Sequence, residues 1–135
     1  MLLEIRDDKT LAMLKKDFSG HFPFLKLEFF DQPHHLSEGS PEGHRLSQHN
    51  LVGNIRNRHN KGALEINSRH TPYYIEKQLK NRFGLYAQVY RIDANGWIQT
   101  AGSDLVTLEE QNEVARLAME SKHDDDFDDF LEGEY

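Results

Sequence analysis

The chain has 135 residues, 37% of them apolar, with eight phenylalanines, five tyrosines, one tryptophan and no cysteine. That length suits one domain with its own core, and the missing thiols exclude disulfides and thiolate metal sites. The formal net charge is −7, yet seven acids and no base fall between Asp124 and Tyr135, leaving 16 acidic and 16 basic side chains in residues 1–123. No stretch approaches the roughly 20 apolar residues that span a bilayer. The opening Met-Leu-Leu-Glu-Ile-Arg-Asp-Asp lacks the basic flank and apolar core of a secretory signal, so a cytoplasmic location is expected.

In chain order, a short strand at Ile5 comes first. Thr10 is then placed to cap a helix with Leu11, Leu14 and Phe18 at helical spacing, broken by Gly20 and Pro23. Alternation follows. Leu25, Leu27 and Phe29 point one way, and Phe24, Lys26, Glu28 and Phe30 the other. Residues 31–45 read as a polar loop, residues 46–58 as a short helix on Leu46, Leu51 and Ile55, and residues 62–67 as a strand. Thr71 and Pro72 open a second helix with Ile75, Leu79 and Phe83 as its buried stripe and Gly84 as its stop. Leu85, Ala87 and Val89 then face inward, and Tyr86, Gln88 and Tyr90 outward. Asp93-Ala94-Asn95-Gly96 is a hairpin turn into a strand over residues 97–101. Thr107 with Glu110 forms a capping box, opening a helix from residue 108 to about 121.

A weak repeat runs through this order. Ile5, Thr10, Leu14, Phe18 and Phe22 stand 61 residues before Ile66, Thr71, Ile75, Leu79 and Phe83. Two β-α-β halves with an added hairpin strand and a C-terminal helix predict an α+β two-layer sandwich, a ferredoxin-like plait. The domain is expected over residues 1–122, with residues 123–135 a disordered acidic tail.

Catalytic grammar is missing. The serines sit in no Gly-x-Ser-x-Gly elbow, residues 39–43 lack the ending of a phosphate loop, and no histidine pair has the spacing of a zinc hydrolase. No catalytic residue, metal or cofactor is expected, and His34, His35, His44 and His49 read as surface histidines of the polar loop. Three groups remain as candidates for binding. Arg56, Arg58, Lys77, Lys80 and Arg82 belong to a basic middle suited to anions. Phe24, Phe30, Tyr86 and Tyr90 share the outward sheet face, where RNA-binding plaits stack bases. The C-terminal helix is expected to cover that face through Leu108, Ala115, Ala118 and Met119. In the tail, Phe127, Phe130, Leu131 and Tyr135 interleave with acids, a pattern that docks on partner proteins. The first expectation is a non-enzymatic protein-binding or regulatory module using this tail. The alternative is an anionic-ligand or RNA-binding domain using the basic middle and the sheet-face aromatics.

Arg82-Phe83-Gly84-Leu85, then Gln88-Val89, Trp97, Thr100, Asp104 and Thr107 to Asn112, resemble an uncharacterised family of small bacterial proteins. The segment from Phe22 to Phe29 is similar to that family's first strand. The resemblance implies bacterial origin and carries no function. The acidic tail and the histidine-bearing loop depart from the pattern.

Overall fold

The first two helices each begin at a threonine. Thr10 accepts a hydrogen bond from the Met13 amide at 3.2 Å and opens α1 (Leu11–His21). Thr71 accepts one from Tyr74 at 3.1 Å and opens α2 (Pro72–Phe83). Each hydroxyl thus takes an amide left without a partner at the helix start. α2 stops where Gly84 turns left-handed at φ 67°, a conformation open to glycine without a Cβ clash.

The computed structural model describes residues 1–35 and 38–132, with side chains described as far as Ser121. Its strands are β1 (Leu2–Ile5), β2 (Leu25–Phe30), β3 (Gly62–Glu65), β4 (Tyr86–Asp93) and β5 (Gly96–Gln99), and α3 spans Leu108–Glu132. α3 continues past residue 121, where the sequence pattern ends it. The Thr107 hydroxyl stands at its start, accepting from the Glu110 amide at 3.2 Å and donating to the Glu110 carboxylate at 3.1 Å. Among the described residues, no helix is long and apolar enough to cross a membrane.

The fold is α+β, but its strands form two antiparallel sheets, β1–β3 and β2–β4–β5. This differs from the single sheet of a plait, in which β2 and β4 lie at opposite edges. Here they are partners along the whole of β2, from Leu25 opposite Arg91 to Phe30 opposite Tyr86. That register puts Leu25, Leu27, Phe29, Ala87 and Val89 on one face, where all five join the core. A slip of one residue would turn them to solvent.

The 61-residue repeat is structural. Leu3 pairs with its own counterpart Leu64, and the pairs Leu2–Glu65 and Glu4–Ala63 exchange under the same offset. In the other sheet, Leu25–Arg91 exchanges with Phe30–Tyr86. Antiparallel pairing of like with like is the arrangement that a two-fold axis imposes. The relation continues into the loops. Val52 donates to the Lys9 carbonyl and Leu108 to that of His70, both at 2.8 Å. Ala12 donates to Gln48 at 2.9 Å and Tyr73 to Asp104 at 3.0 Å. Val52 and Leu108 are both fully buried, and residues 44–46 follow the outer edge of β2 as β5 follows β4. The chain therefore consists of two copies of one unit around a pseudo-two-fold axis.

The helix expected over residues 46–58 is reduced to one 3₁₀ turn, Val52–Asn54. Its neighbours are bound elsewhere: Leu51 bridges to Thr10, and the Gln48 and Asn50 carbonyls accept from the start of α1. Backbone groups committed to another element cannot form a helix of their own.

Candidate functional site

The edge of β4 is where the second half becomes unusual. β5 pairs with Tyr90–Asp93, so among the described residues the first half of β4 has no strand neighbour on that side. Side chains and the Thr100 amide, which donates to the Val89 carbonyl at 3.1 Å, take its polar groups instead. The Val89 amide donates to Glu76 Oε2 at 2.9 Å, and the Val89 carbonyl accepts from the Thr100 hydroxyl at 3.0 Å. The Ala87 carbonyl accepts from His34 Nε2 at 3.2 Å. An open strand edge is thereby closed to further pairing.

The surroundings of His34 fix its protonation. Nδ1 faces the His35 carbonyl at 3.1 Å, while Nε2 faces the Ala87 carbonyl and, at 3.3 Å, Glu76 Oε1. Every neighbour is an acceptor, so both nitrogens carry hydrogen and the ring is an imidazolium. The Glu76 carboxylate and the two carbonyls raise its pKa to about 9 against the opposing effect of burial. Glu76 is 5% exposed, and burial pushes its carboxyl up while His34 and the Val89 amide pull it back. Its Oε2 also accepts from the Gln88 amide at 3.2 Å, whereas Oε1 receives no hydrogen bond of good geometry.

This pair lines a cleft of about 180 Å³. Pro33, His34 and His35 form one wall, and Tyr86 and Ala87 of β4 form another. The third comes from α2, where Tyr73, Glu76, Lys77 and Lys80 fall on one stripe by their helical spacing. The volume lies below the roughly 300–1,000 Å³ of sites for drug-sized molecules, so the fitting ligand is small. Three cationic residues, His34, Lys77 and Lys80, line the cleft together with one buried carboxylate. Tyrosine rings supply flat walls, with the Lys77 ammonium 5.7 Å from the centre of Tyr73.

Of the basic middle, Lys77 and Lys80 reach this cleft and the arginines do not. Arg56 is buried and donates to the Phe83 carbonyl, and Arg58 donates to those of Asn81 and Arg82. Both hold the C-terminus of α2, where cations meet free carbonyls and the negative end of the helix dipole. Arg82 lies over the Phe83 ring and donates to the Ala63 carbonyl at 3.4 Å.

The outward sheet face is also placed differently from expectation. It is covered by residues 40–45 and not by α3. Ser40 donates to Gln88 at 3.2 Å, Tyr90 donates to Glu42 at 2.6 Å, and Arg45 donates to Tyr90 at 2.9 Å. Phe30 and Tyr90 are 2% exposed and offer no stacking surface. Burial, with Glu42 beside it, pushes the Tyr90 phenol up to about 12. Tyr86 lines the cleft, and the half-buried Phe24 donates its amide to Asn112 of α3 at 3.1 Å. α3 packs through Leu108 into the opposite, core face, because a fully apolar side chain gains more there than over Glu28 and Gln88. Of the tail contacts, Phe127, Phe130 and Leu131 fall on α3 beyond the described side chains, and Tyr135 lies outside the described residues.

Among the described residues, no group of three or more histidines and acids is arranged to hold a metal ion. His44 pairs with Asp31 at 2.8 Å, and His59 with Asp7 at the same distance. The sequence reading missed Glu76. Its signal was present: it sits inside the buried stripe Pro72, Ile75, Leu79 and Phe83, where a charge needs a reason.

No family model, curated protein or solved structure matches this chain.

The imidazolium carries a test of the site. Its folded pKa of about 9 lies above the 6.5 of the free group, so its contribution is complete below pH 6.5 and disappears between there and pH 9. Urea denaturation is expected to show a loss of roughly 2 kcal/mol across that window, after a discount for solvent at the cleft. His34→Gln should abolish this slope. An equal slope in both proteins would mean that His34 is neutral.

Proposed function

We propose that this chain is a non-catalytic binding module whose cleft takes a small organic anion. The observation that carries the reading is the convergence of His34, Lys77 and Lys80 on one cavity with tyrosine walls. Cations grouped around a partly desolvated space attract an anion more strongly than they would in open water. The imidazolium keeps its charge because its hydrogen bonds are made to acceptors, and it acts on a ligand through its field. The two lysines are exposed at the rim and free to reach an acid group. Tyr73 and Tyr86 give the apolar body of such a ligand a surface to lie on.

Among the described residues, the arrangement favours a small molecule over RNA. Two of the four aromatic side chains that would stack bases are buried beneath residues 40–45. Three of the five basic candidates are spent on backbone carbonyls.

Calorimetric titration of the full chain with 3-phenylpropanoate tests the proposal. Binding is expected to weaken as salt is raised and to fall by about tenfold or more in the Lys77→Ala/Lys80→Ala variant, a loss of about 1.4 kcal/mol. Binding that ignores both salt and the lysines would place the anion elsewhere.

A further inference from the structure

The side chains that line the cleft are where the two copies of the unit differ. Under the 61-residue offset, Tyr73, Lys80 and Asn81 stand where α1 has Ala12, Ser19 and Gly20. The core positions of the same helices stay apolar and buried in both copies, as Leu14 and Ile75 do, and Phe18 and Leu79. Packing of the shared unit therefore does not require the three replacements. With Lys77 they form one stripe of α2 along the cleft.

The stripe is rich in donors that the protein leaves unused. Among the described residues, the Lys77 and Lys80 ammonium groups, the Asn81 side-chain amide and the Tyr73 and Tyr86 phenols have no hydrogen-bond or ion-pair partner. Lys77 touches the Tyr73 ring alone. Lys80 is not needed at the C-terminus of α2, because Arg56 and Arg58 already donate to the last carbonyls there.

The charge of the lining is equally one-sided. His34 and Glu76 pair at 3.3 Å and together add nothing to its net charge. Among the described residues, Glu76 is the one acid in the lining. Glu38 accepts from the His35 amide at 3.3 Å and is not part of it. Two ammonium groups remain, Lys77 and Lys80. A carboxylate would bring them one negative charge and two oxygens. A phosphate monoester brings close to two charges and three strong acceptor oxygens, which matches both lysines and engages the neutral donors.

We infer that the anion of the cleft is a small phosphate monoester bound as the dianion, with its phosphate on Lys77 and Lys80 and its organic group against the tyrosine rings. The inference rests on the cleft being an anion site and adds the kind of acid to that reading. A cleft of about 180 Å³ suits a free small molecule.

The test compares 3-phenylpropanoate, phenyl sulfate and phenyl phosphate, each titrated into the full chain by calorimetry at about pH 7.5, above the second phosphate pKa of about 6. The sulfate ester has the same tetrahedral shape with a single charge, so the two esters isolate the second charge. Phenyl phosphate is expected to bind about tenfold tighter than either monoanion. Lys77→Gln/Lys80→Gln keeps a donor and a good helix former at two exposed positions while removing both charges. It is expected to bring the phosphate and sulfate esters within about twofold of each other. Phosphate binding no tighter than sulfate in the unaltered chain would overturn the dianion and leave the anion site standing. A preference for phosphate that survives the double glutamine variant would overturn it too, by placing the second charge's partner elsewhere. Tighter binding of a phosphotyrosine tripeptide than of phenyl phosphate would overturn the free molecule in favour of a protein side chain. Failure of all three small anions to bind at millimolar concentration would sink the anion site itself.

Discussion

Phe18→Ala is expected to lower the stability of the folded chain by about 3–5 kcal/mol. Phe18 has no exposed surface, and its ring centre lies 5.3 Å from that of Phe22 with the planes tilted by 43°. It belongs to the one cluster in which α1, α2, both sheets and Leu108 meet. Removing the ring takes away its transfer free energy and leaves a void that a packed interior fills only in part. The pseudo-two-fold axis adds a comparison, since Leu79 holds the equivalent place in the second half and is equally buried. Leu79→Ala should fall in the leucine range of about 2–5 kcal/mol. Urea denaturation and melting curves measure both, with the Phe18 variant expected to melt lower by roughly 10 °C or more. A loss below about 1 kcal/mol at Phe18 would show that the common core has been misplaced.

Arg56→Ala is the second large effect, expected at about 2–4 kcal/mol. The guanidinium has no exposed side-chain surface and joins three parts of the chain. Nε and Nη2 grip Asp7 Oδ1 at 3.0 and 2.7 Å, Nη1 donates to the Phe83 carbonyl at 3.0 Å, and Nη2 to that of Asn60 at 2.7 Å. The hydrogen bond from Arg56 holds the Asp7 carboxyl below its usual range. Asp7 is partly open to water, so most of the loss comes from the orphaned carbonyls at the end of α2 and in the loop before β3. Lysine should restore little, because an ammonium cannot reproduce the planar fork. Denaturation gives the magnitude. Amide exchange should quicken at Gly84 and Leu85, which close the end of α2. Unchanged exchange there would separate Arg56 from that helix end.

The two effects describe a molecule whose halves share a core and whose ends are clamped by arginine, which leaves the cleft as a local specialisation. In the first half, the position that becomes the cleft holds an ion pair between Lys15 and Glu28. In the second, an acid and a histidine from distant segments meet at a strand edge. A duplicated unit thus keeps its packing in both copies while changing the chemistry in one.

Much of the fold was legible from local pattern. Thr10 and Thr71 could be read as caps, Gly84 as a helix stop and Asn95-Gly96 as a hairpin turn, because each depends on a few neighbouring backbone groups. The inward positions Leu25, Leu27, Phe29, Ala87 and Val89 followed from period-two alternation, which any pairing must respect. The 61-residue repeat was visible as well, since core positions in both copies need apolar side chains of similar size.

Which strands paired was decided by tertiary structure alone. Alternation says which side of β2 is apolar, but hydrogen bonds to β3 or to β4 satisfy it equally. The site shows the same division. Lys77 and Lys80 lie on an exposed helical stripe that the sequence displays, and Glu76 breaks a buried one. His34 was one histidine among eight until the fold brought it, from 42 positions earlier in the chain, to 3.3 Å from Glu76. The amino-acid sequence by itself determined the elements, their inner faces and the duplication, because those arise from interactions between near neighbours. Only the tertiary structure decided the two-sheet pairing, the burial of Tyr90 and the charge of His34, because each depends on groups that are distant in the chain and adjacent only once it has folded.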